Sequence, residues 1–478
     1  MNHGPKLPCM PDDPIDHSRI SLVQLAWPLL VENILRTSLM SVDTLMLSRY
    51  SPEAVAAMSL ASQFAFFLQL LYMMGSIGSS VLITQSLGAG RKRAAGLYGA
   101  GSLTLILAVS LVMSAVVALG GGLVIDLYRL DPQVARYARQ FLTIYGGLSF
   151  FVAINIGQAS IQRAWGHARD PMLVNGVCLL LTVGGNALCL FGPFGFPVLG
   201  VPGVAASTIA SQAVACGLSA WMIRRRGGLE LHLREAMHVP RHIYRSILAI
   251  GIPIAGESIS YNLSQIVVLV LLSGMGTVAL ATYGILMAVL RYVFVAGVSI
   301  GAAGQLKVGY LVGAGRHDEA THRVYRYFTA GFFITLALVV VLQVFHRPIL
   351  ELFSQEPRVL GLAASVLVVA VVFEPGRSLN TIIIPALKGA GDVRFPVYVG
   401  IASMWGISVV GAWFLGVWLR LGLVGMWMAM AADEWLRGIM MLLRWRSGAW
   451  RRTAVVDHAG TGDGAVASVA QLEVEEGL

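Results

Sequence analysis

The stretch Gly88-Ala89-Gly90-Arg91 occurs a second time in the other half of the chain, as Gly313-Ala314-Gly315-Arg316. We call the shift in numbering from residue 88 to residue 313 the repeat offset. The same offset relates seven further identical pairs: Pro28 and Pro253, Glu32 and Glu257, Pro132 and Pro357, Asn155 and Asn380, Gly166 and Gly391, Arg169 and Arg394, and Pro171 and Pro396. Chance produces one or two such pairs, not eight, so we infer two similar halves that descend from a common unit. Apolar repeats of this kind are typical of membrane transporters that bind their substrate between the repeats.

The composition is that of a membrane protein. Of the 478 residues, 56% are hydrophobic and 12% are charged, and the mean hydropathy is +0.72. Soluble domains carry about 25% charged residues, so we predict a polytopic protein in a lipid bilayer. The net charge of +9 suits cytoplasmic loops that face anionic lipid and gives no support for nucleic-acid binding. The four cysteines are too few for a disulfide framework.

The apolar runs predict twelve transmembrane helices, because a helix needs about 20 mostly apolar residues to cross a bilayer. Their approximate ranges are 21–45, 54–82, 98–120, 134–158, 172–192, 202–223, 246–272, 278–304, 327–346, 359–384, 396–417 and 421–443. The predicted fold class is an all-α membrane protein with two pseudo-symmetric six-helix lobes. We place the N-lobe at 19–223 and the C-lobe at 246–445, with a cytoplasmic linker at 224–245, a cytoplasmic tail at 1–18 and a disordered tail at 446–478.

The basic residues of the loops predict the orientation. Most of them fall on one side of the predicted bundle, in the clusters Arg91-Lys92-Arg93, Arg163 with Arg169, Arg224-Arg225-Arg226, Arg316 with Arg323, Lys388 with Arg394, and Arg444 with Arg446. The positive-inside rule places that side in the cytoplasm. Both termini are then cytoplasmic, as an even number of spans requires, and the two repeats are parallel.

Few ionisable groups interrupt the spans, and each is costly in a bilayer. They are Glu32, Arg36 and Asp43 in the first span, Glu257 in the seventh, Arg291 in the eighth, Glu374 and Arg377 in the tenth, and Asp433, Glu434 and Arg437 in the twelfth. Uncharged polar residues of the spans include Asn155, Gln158, Asn186 and Asn380. These groups are the candidates for a functional site.

Several candidates also have a structural interpretation. Glu32 and Arg36 lie four residues apart on one helical face and can form an ion pair that holds the bundle together. Asn155 and Asn186 can hydrogen-bond to neighbouring helices, and Arg291 can neutralise a nearby carboxylate. The twelfth span is expected to carry a mostly structural network at the inner mouth, made by Asp433, Glu434 and Arg437.

Asp43 is the strongest candidate for a functional acid. No Arg or Lys precedes it within a helical turn, so a local ion pair does not neutralise it. A carboxylic acid in an apolar environment favours its protonated form, and one that faces a cavity can take up and release a proton while the halves rock. The alternative is that Asp43 lies at the membrane interface, in contact with water.

Motifs of enzymes are missing from the sequence. We find no HExxH, no GxSxG and no paired Asp-rich motif, and no Walker lysine follows the glycine-rich runs. We therefore predict that the chain is not an enzyme and uses no cofactor or metal. The two GAGR runs are interpreted as helix C-caps followed by a positive-inside arginine, rather than as phosphate-binding loops.

Four segments in combination resemble the multidrug and toxic compound extrusion (MATE) family, from about residue 20 to 445. They are Val42-Asp43-Thr44-Leu45-Met46 followed by Ala54-Val55-Ala56-Ala57, Gln85-Ser86-Leu87-Gly88-Ala89-Gly90, Leu199-Gly200-Val201-Pro202-Gly203, and Leu387-Lys388-Gly389-Ala390-Gly391-Asp392. The resemblance implies two six-helix lobes around a central cavity, alternating access, and drug export driven by a proton or sodium gradient.

The resemblance also implies roles for single residues. Asp43 matches the family's first-span aspartate, which is implicated in proton coupling and substrate binding. Glu257 matches a seventh-span glutamate that is linked to cation binding. Asn186 stands where some members have a carboxylate that partners the aspartate, and here that partner is an amide.

The tenth span departs from the family pattern. Its segment Glu374-Pro375-Gly376-Arg377-Ser378-Leu379-Asn380 resembles a distinct subgroup, with Arg377 where members with a C-lobe sodium site have an aspartate. A fixed positive charge beside Glu257 would repel sodium by about 4 kcal/mol at ~4 Å and an effective dielectric of 20, so we expect proton rather than sodium coupling. Pro375-Gly376 are expected to break the helix in mid-membrane.

The resulting prediction is a bacterial inner-membrane antiporter that exchanges a cation, a proton rather than sodium, for a small organic compound. Asp43 and Glu257 are the predicted cation-coupling residues, and the predicted cavity residues are Glu32, Arg36, Asn155, Gln158, Asn186, Tyr261, Arg291, Glu374, Arg377 and Asn380. The alternatives are a flippase for a lipid-linked precursor and, because of Arg291 and Arg377, an exporter of anionic metabolites.

Overall fold

The computed structural model describes residues 20–127, 130–195, 197–226 and 239–454. The tail predicted at 1–18, most of the predicted linker (227–238) and the tail from 455 onward lie outside the described residues. Long helices make up almost all of the described chain, and no described residue lies in a strand. The all-α prediction is confirmed.

Six helices form the first lobe. They are helix 1 (Leu22–Ser48), helix 2 (Pro52–Gly88), helix 3 (Lys92–Leu127), helix 4 (Pro132–Gly146 and Phe150–Ala164), helix 5 (Arg169–Phe191) and helix 6 (Gly200–Arg225). Helix 4 bends by 48° between its two segments, and its turn at Leu142–Gly146 has π-helical geometry.

Six helices form the second lobe. They are helix 7 (Arg241–Ser273), helix 8 (Thr277–Gly313), helix 9 (His317–Val344), helix 10 (Pro357–Ala390), helix 11 (Arg394–Trp418) and helix 12 (Gly422–Arg446). A short helix, His346–Glu351, separates helices 9 and 10. Helix 11 passes into π-helical geometry at Met404–Val409 and Ala412–Trp418.

Among the described residues, nine helices are long and apolar enough to cross a membrane, and the two segments of helix 4 pass together as a tenth, bent span. Helices 1 and 12 complete the twelve. Each of the two carries three of the charged candidates, which lower its hydropathy: Glu32, Arg36 and Asp43 in helix 1, and Asp433, Glu434 and Arg437 in helix 12. A charged side chain in a membrane helix is tolerated where it faces the bundle interior and finds a partner there, as Glu32, Asp433, Glu434 and Arg437 do.

The helices of each half pack mainly among themselves. In the first lobe helix 2 packs against helices 3 and 4, and helix 5 against helices 1 and 6; in the second lobe helix 10 packs against helices 8, 9 and 12. The lobes meet where helix 2 packs against helices 7 and 8 and where helix 1 packs against helix 8. The protein is therefore a pair of pseudo-symmetric six-helix lobes, as the internal repeat predicts.

Both GAGR runs end a helix, as the C-cap interpretation predicts. Gly90 and Gly315, which follow helices 2 and 8, have φ angles of 75° and 71°, in the left-handed region that glycine adopts without strain. The N–H of Arg91 donates to the Ser86 carbonyl and that of Arg316 to the Leu311 carbonyl, both at 2.8 Å. These bonds close the same Schellman-type turn in each half. We call the end of the molecule that carries both turns the basic end.

Two glycines at the basic end bring the lobes into backbone contact. A Cβ added at Gly88 would collide with the Tyr310 carbonyl, and one added at Gly313 would collide with the Gln85 carbonyl. Gln85 and Tyr310 are themselves related by the repeat offset. The contact is therefore reciprocal about a pseudo-twofold axis between the lobes.

Two hydrogen bonds repeat this reciprocity. Tyr310 Oη donates to the Ala164 carbonyl over 2.7 Å, and Gln85 Nε2 donates to the Gly389 carbonyl over 3.0 Å. Ala164 and Gly389 are again related by the repeat offset, and they lie in the last turns of helices 4 and 10. Each lobe thus holds the end of a helix in the other lobe, and we call this pair of bonds the inter-lobe latch.

Helix 10 is continuous through Pro375-Gly376, and the predicted mid-membrane break is wrong. Trp435 of helix 12 explains the motif, because a Cβ on Gly376 would lie 2.7 Å from its ring. Proline lacks an N–H and crowds the preceding turn, and Trp435 Nε1 donates to the Val372 carbonyl of that turn over 2.8 Å. The motif therefore docks helix 12 onto helix 10.

The ordered C-lobe also extends beyond its predicted end at residue 445. Helix 12 continues to Arg446, and a 3-10 turn follows at Ala449–Arg452. Trp450 of this turn is buried and stacks on Trp445 with a centroid separation of 4.3 Å. Apolar stacking therefore holds the chain after helix 12 against the lobe, a contact that the polar composition of the segment does not predict.

Candidate functional site

Asp43 lies in the second half of helix 1 and is 7% exposed. One of its carboxylate oxygens accepts a 2.7 Å hydrogen bond from Nδ2 of Asn186, a fully buried residue of helix 5. The sequence-based pairing of these two residues is therefore present in the structure.

Asp43 differs from every other buried acid among the described residues. Five further carboxylates are buried, and each has an arginine within ion-pair distance: Glu32 with Arg163, Asp170 with Arg226, Glu374 with Arg377, Asp392 with Arg444, and Asp433 with Arg437. Asp43 has only the neutral amide. A lone buried carboxylate is costly when ionised, so this position favours occupation by a proton or a cation.

The expected ion pair between Glu32 and Arg36 is wrong. Glu32 Oε1 instead accepts from Arg163 Nη1 of helix 4 over 2.8 Å and from Asn175 Nδ2 of helix 5 over 3.4 Å. Arg36 is exposed and forms no ion pair with a described residue. Spacing along helix 1 permits the local pair, but a partner on a neighbouring helix reaches the buried carboxylate.

Glu257 has the equivalent arrangement in the second lobe. Its Oε2 accepts from Lys388 Nζ of helix 10 over 2.6 Å. The repeat offset relates Lys388 to Arg163, just as it relates Glu257 to Glu32. The positive charge beside Glu257 is therefore Lys388, and the expectation that Arg377 takes this place is wrong.

Arg377 instead belongs to a pocket in the C-lobe. The pocket is lined by Tyr261, Gln265, Met287, Phe373, Arg377, Met404, Ser408, Met430, Asp433, Glu434 and Arg437. Arg377 Nη1 lies 3.3 Å from Glu374 Oε1, and its guanidinium carbon lies 4.0 Å from the centroid of the Phe294 ring, within the range of a cation–π contact.

The acidic and basic residues of helix 12 also face this pocket. Arg437 Nη2 lies 2.9 Å from Glu434 Oε2 and 3.3 Å from Asp433 Oδ2. Ser403 of helix 11 donates to Asp433, and Asn380 of helix 10 donates to Glu434 Oε2 over 2.6 Å. The network is therefore part of the C-lobe pocket.

The first lobe has an uncharged counterpart of this network. Asn155, the repeat equivalent of Asn380, donates to Gln212 Oε1 of helix 6 over 2.9 Å. Four buried amide oxygens of this lobe have no hydrogen-bond partner among the described residues, and they belong to Asn155, Gln158, Gln162 and Asn186. Carbonyl oxygens of this kind can accept from water or from a ligand that carries N–H groups.

The remaining cavity candidates fall into different places. Tyr261 lines the C-lobe pocket. Arg291 is exposed, forms no ion pair with a described residue and is not among the pocket residues.

The sequence analysis did not identify three residues that contact the candidates: Arg163, Lys388 and Gln212. The repeat offset, which relates two basic residues at 163 and 388, is the signal that could have revealed the first two.

The two parallel lobes, the reciprocal contact between them and the polar sites inside each lobe define a membrane transporter built from an internal repeat. A family model described as MatE matches residues 28–188 and again 253–414, one match in each lobe. The chain therefore belongs to the MatE family of transporters.

The similarity extends over most of the chain. The uncharacterized transporter YisQ of Bacillus subtilis is 35% identical over 90% of this chain and 94% of its own length. The probable multidrug resistance protein NorM of Thermotoga maritima is 25% identical over 94% of this chain and 96% of its own. A crystal structure of MATE in the bent conformation superposes with a TM-score of 0.85 at 19% identity, covering 93% of this chain and 99% of that one. This superposition supports the fold.

Proposed function

We propose that the chain is a proton-coupled exporter of organic compounds that works by alternating access. The observation that carries the proposal is Asp43, the one buried carboxylate of the described residues that has no basic side chain within ion-pair distance. In a bilayer such a group is stable when protonated and costly when ionised. A proton taken up from one side and released to the other can therefore be exchanged for substrate.

Glu257 is the weaker of the two coupling candidates. Its carboxylate already has Lys388 Nζ at 2.6 Å, so a sodium ion would have to displace an ammonium group. The equivalent pair of Glu32 and Arg163, at 2.8 Å, suggests that both pairs tie the first helix of a lobe to its fourth. We therefore place the coupling at Asp43 and expect sodium-independent export.

The inter-lobe latch supports alternating access. The positive-inside rule puts the basic end in the cytoplasm, which makes both termini cytoplasmic, and the bacterial relatives support an inner-membrane location. The lobes are bonded at that end by Tyr310 and Gln85. Opening toward the cytoplasm requires both bonds to break, and their reciprocal placement lets the lobes separate symmetrically.

The C-lobe pocket favours a cationic organic substrate over an anionic one. Each arginine that lines it is paired with a carboxylate: Arg377 with Glu374, and Arg437 with Asp433 and Glu434. Each guanidinium group is therefore already neutralised, and no unpaired positive charge of the lining is left for an anionic substrate. The Phe373 ring and three methionines in the lining add apolar surface. The relatives named for multidrug resistance support the same class of substrate.

The test is dye transport in inside-out vesicles under an imposed gradient. We expect a fluorescent cationic dye to be pumped under a pH gradient without sodium, and Asp43→Asn to abolish that pumping. Glu356→Gln, which changes an exposed acid, is the control and should pump normally. Full pumping by Asp43→Asn, or pumping by the unmodified chain that requires sodium, would overturn the proposal.

A further inference from the structure

Two arginines at the basic end of the N-lobe lie over tryptophan rings. The guanidinium carbon of Arg169, at the start of helix 5, is 5.5 Å from the centroid of Trp27 in helix 1. That of Arg225, at the end of helix 6, is 4.2 Å from the centroid of Trp221. Both separations lie within the range of a cation–π contact.

Both arginines stand at the end of an apolar outer face. On helix 5 the residues one and three turns beyond Arg169 are Leu173 and Leu180, which are 51% and 74% exposed. On helix 6 Trp221 itself is 48% exposed. Apolar side chains this exposed on a membrane helix face the lipid, so the two guanidinium groups lie where the hydrocarbon gives way to headgroups.

An ion pair between the two sites fixes their relative position. Arg226 Nη2 lies 2.7 Å from Asp170 Oδ1 and Nε lies 3.1 Å from Asp170 Oδ2, which ties the end of helix 6 to the start of helix 5. The pair neutralises its own charges. Arg169 and Arg225 have no carboxylate within ion-pair distance in the part of the chain that the structure describes, so two positive charges remain available.

The second lobe shows that the fold does not require this arrangement. The repeat equivalent of Trp27 is Ile252. Helices 6 and 12 begin at Gly200 and Gly422, which both have a left-handed φ, so Leu443 and Ser447 stand where helix 6 has Trp221 and Arg225. The two arginine–tryptophan pairs are therefore particular to the N-lobe.

We propose that this surface binds the phosphate headgroup of an anionic phospholipid of the cytoplasmic leaflet. Guanidinium groups bind phosphate in a planar, often bidentate geometry, and tryptophan is enriched at headgroup depth. Basic pockets between membrane helices on the cytoplasmic side suit anionic headgroups. The assignment to the cytoplasmic leaflet rests on the orientation given with the proposed function. The binding of a phosphate headgroup rests on the two arginine–tryptophan pairs alone.

The test is lipid retention measured by native mass spectrometry of the full chain in detergent. Phosphatidylglycerol and phosphatidylcholine with identical acyl chains compete for the protein, and we expect phosphatidylglycerol to be retained preferentially. The double variant R169Q/R225Q should bind it roughly thirtyfold more weakly, since each arginine near an anionic surface contributes about 1 kcal/mol. The double variant W27F/W221F should show a smaller loss, because phenylalanine keeps a weaker cation–π surface.

Arg446→Gln is the matched control, because Arg446 is an exposed arginine at the basic end of the other lobe. It should retain phosphatidylglycerol like the unmodified chain. Equal retention of the two lipids by the unmodified chain, or an equal loss in Arg446→Gln and R169Q/R225Q, would overturn the proposal. The measurement uses no ion gradient and no substrate, so its outcome is independent of the transport activity proposed above.

Discussion

The hydroxyl group of Tyr310 offers the sharpest test of the inter-lobe latch. Tyr310 is fully buried, and its Oη donates to the Ala164 carbonyl of the other lobe over 2.7 Å. Tyr310→Phe removes one oxygen atom, keeps the ring and leaves the close approach of Gly88 to the Tyr310 backbone unchanged. The change therefore affects the latch with little effect on the packing around it.

The expected magnitude follows from this one bond. A buried hydrogen bond contributes about 0.5 to 1.5 kcal/mol net, and leaving a buried carbonyl without a donor costs about 1 to 3 kcal/mol. In the open state water can hydrogen-bond to the Ala164 carbonyl, so the substitution destabilises only the closed state. We take about 1 to 2 kcal/mol for this destabilisation. Because 1.4 kcal/mol is about a factor of ten in an equilibrium constant, the population open at the basic end should rise roughly 5- to 30-fold.

The assay is the reactivity of a cysteine placed between the lobes. Ala303 lies in helix 8 and is fully buried in a core cluster that also contains Val81 of helix 2 and Ile250 of helix 7. Ala303→Cys, in a chain without its four native cysteines, should react with a membrane-impermeant maleimide only when the lobes separate. In inside-out vesicles its labelling rate should rise by the factor given above.

Two further variants decide whether the latch is the cause. Gln85→Leu removes the reciprocal bond to Gly389 and should raise the labelling rate similarly, and the two factors should multiply in the double variant. Tyr72→Phe is the control: it removes a buried 2.7 Å bond to Ser149 inside the N-lobe and should leave labelling unchanged. Labelling of Tyr310→Phe at the unmodified rate, or an equal rise in Tyr72→Phe, would refute the reasoning.

Two predictions concern packing and buried charge, and both are checked by thermal unfolding in detergent. Gly376→Ala should destabilise the protein by about 1 to 3 kcal/mol, because its Cβ meets the Trp435 ring; Gly361→Ala in the same helix, where a Cβ meets nothing, should be neutral or slightly stabilising. Lys388→Met should cost about 3 to 5 kcal/mol by leaving Glu257 without its partner, and the added change Glu257→Gln should recover most of the loss. Equal melting temperatures for the two glycine variants, or no recovery in the double variant, would contradict these accounts.

The sequence was informative where a pattern depends on chain order alone. Helix length, hydropathy and the repeat offset predict twelve helices and two equivalent lobes. The glycines at 90 and 315 predict where helices 2 and 8 end, and both adopt the left-handed conformation in the structure. The pairing of Asp43 with Asn186 came from the family resemblance and not from spacing.

Sequence reasoning failed where a buried charge had more than one possible partner. Helical spacing allows Glu32 to pair with Arg36, yet Arg163 from helix 4 is its partner. Arg377 was expected beside Glu257, yet it pairs with Glu374, and Lys388 takes the expected place. Local spacing tells which side chains can reach each other along one helix, but it contains no information on which neighbouring helix is closer.

The sequence by itself determined the class of protein, the number of halves and the ends of helices 2 and 8, because hydrophobic length and glycine conformation act within a few turns of chain. Only the tertiary structure decided that Asp43 is the one buried acid of the described residues without a basic partner. It also decided that Gly376 contacts the Trp435 ring, and that Gln85 and Tyr310 bond the lobes reciprocally. These features depend on helices that are distant in sequence, and burial makes the choice of partner decisive, since an unpaired charge or donor in a bilayer has no water to replace it.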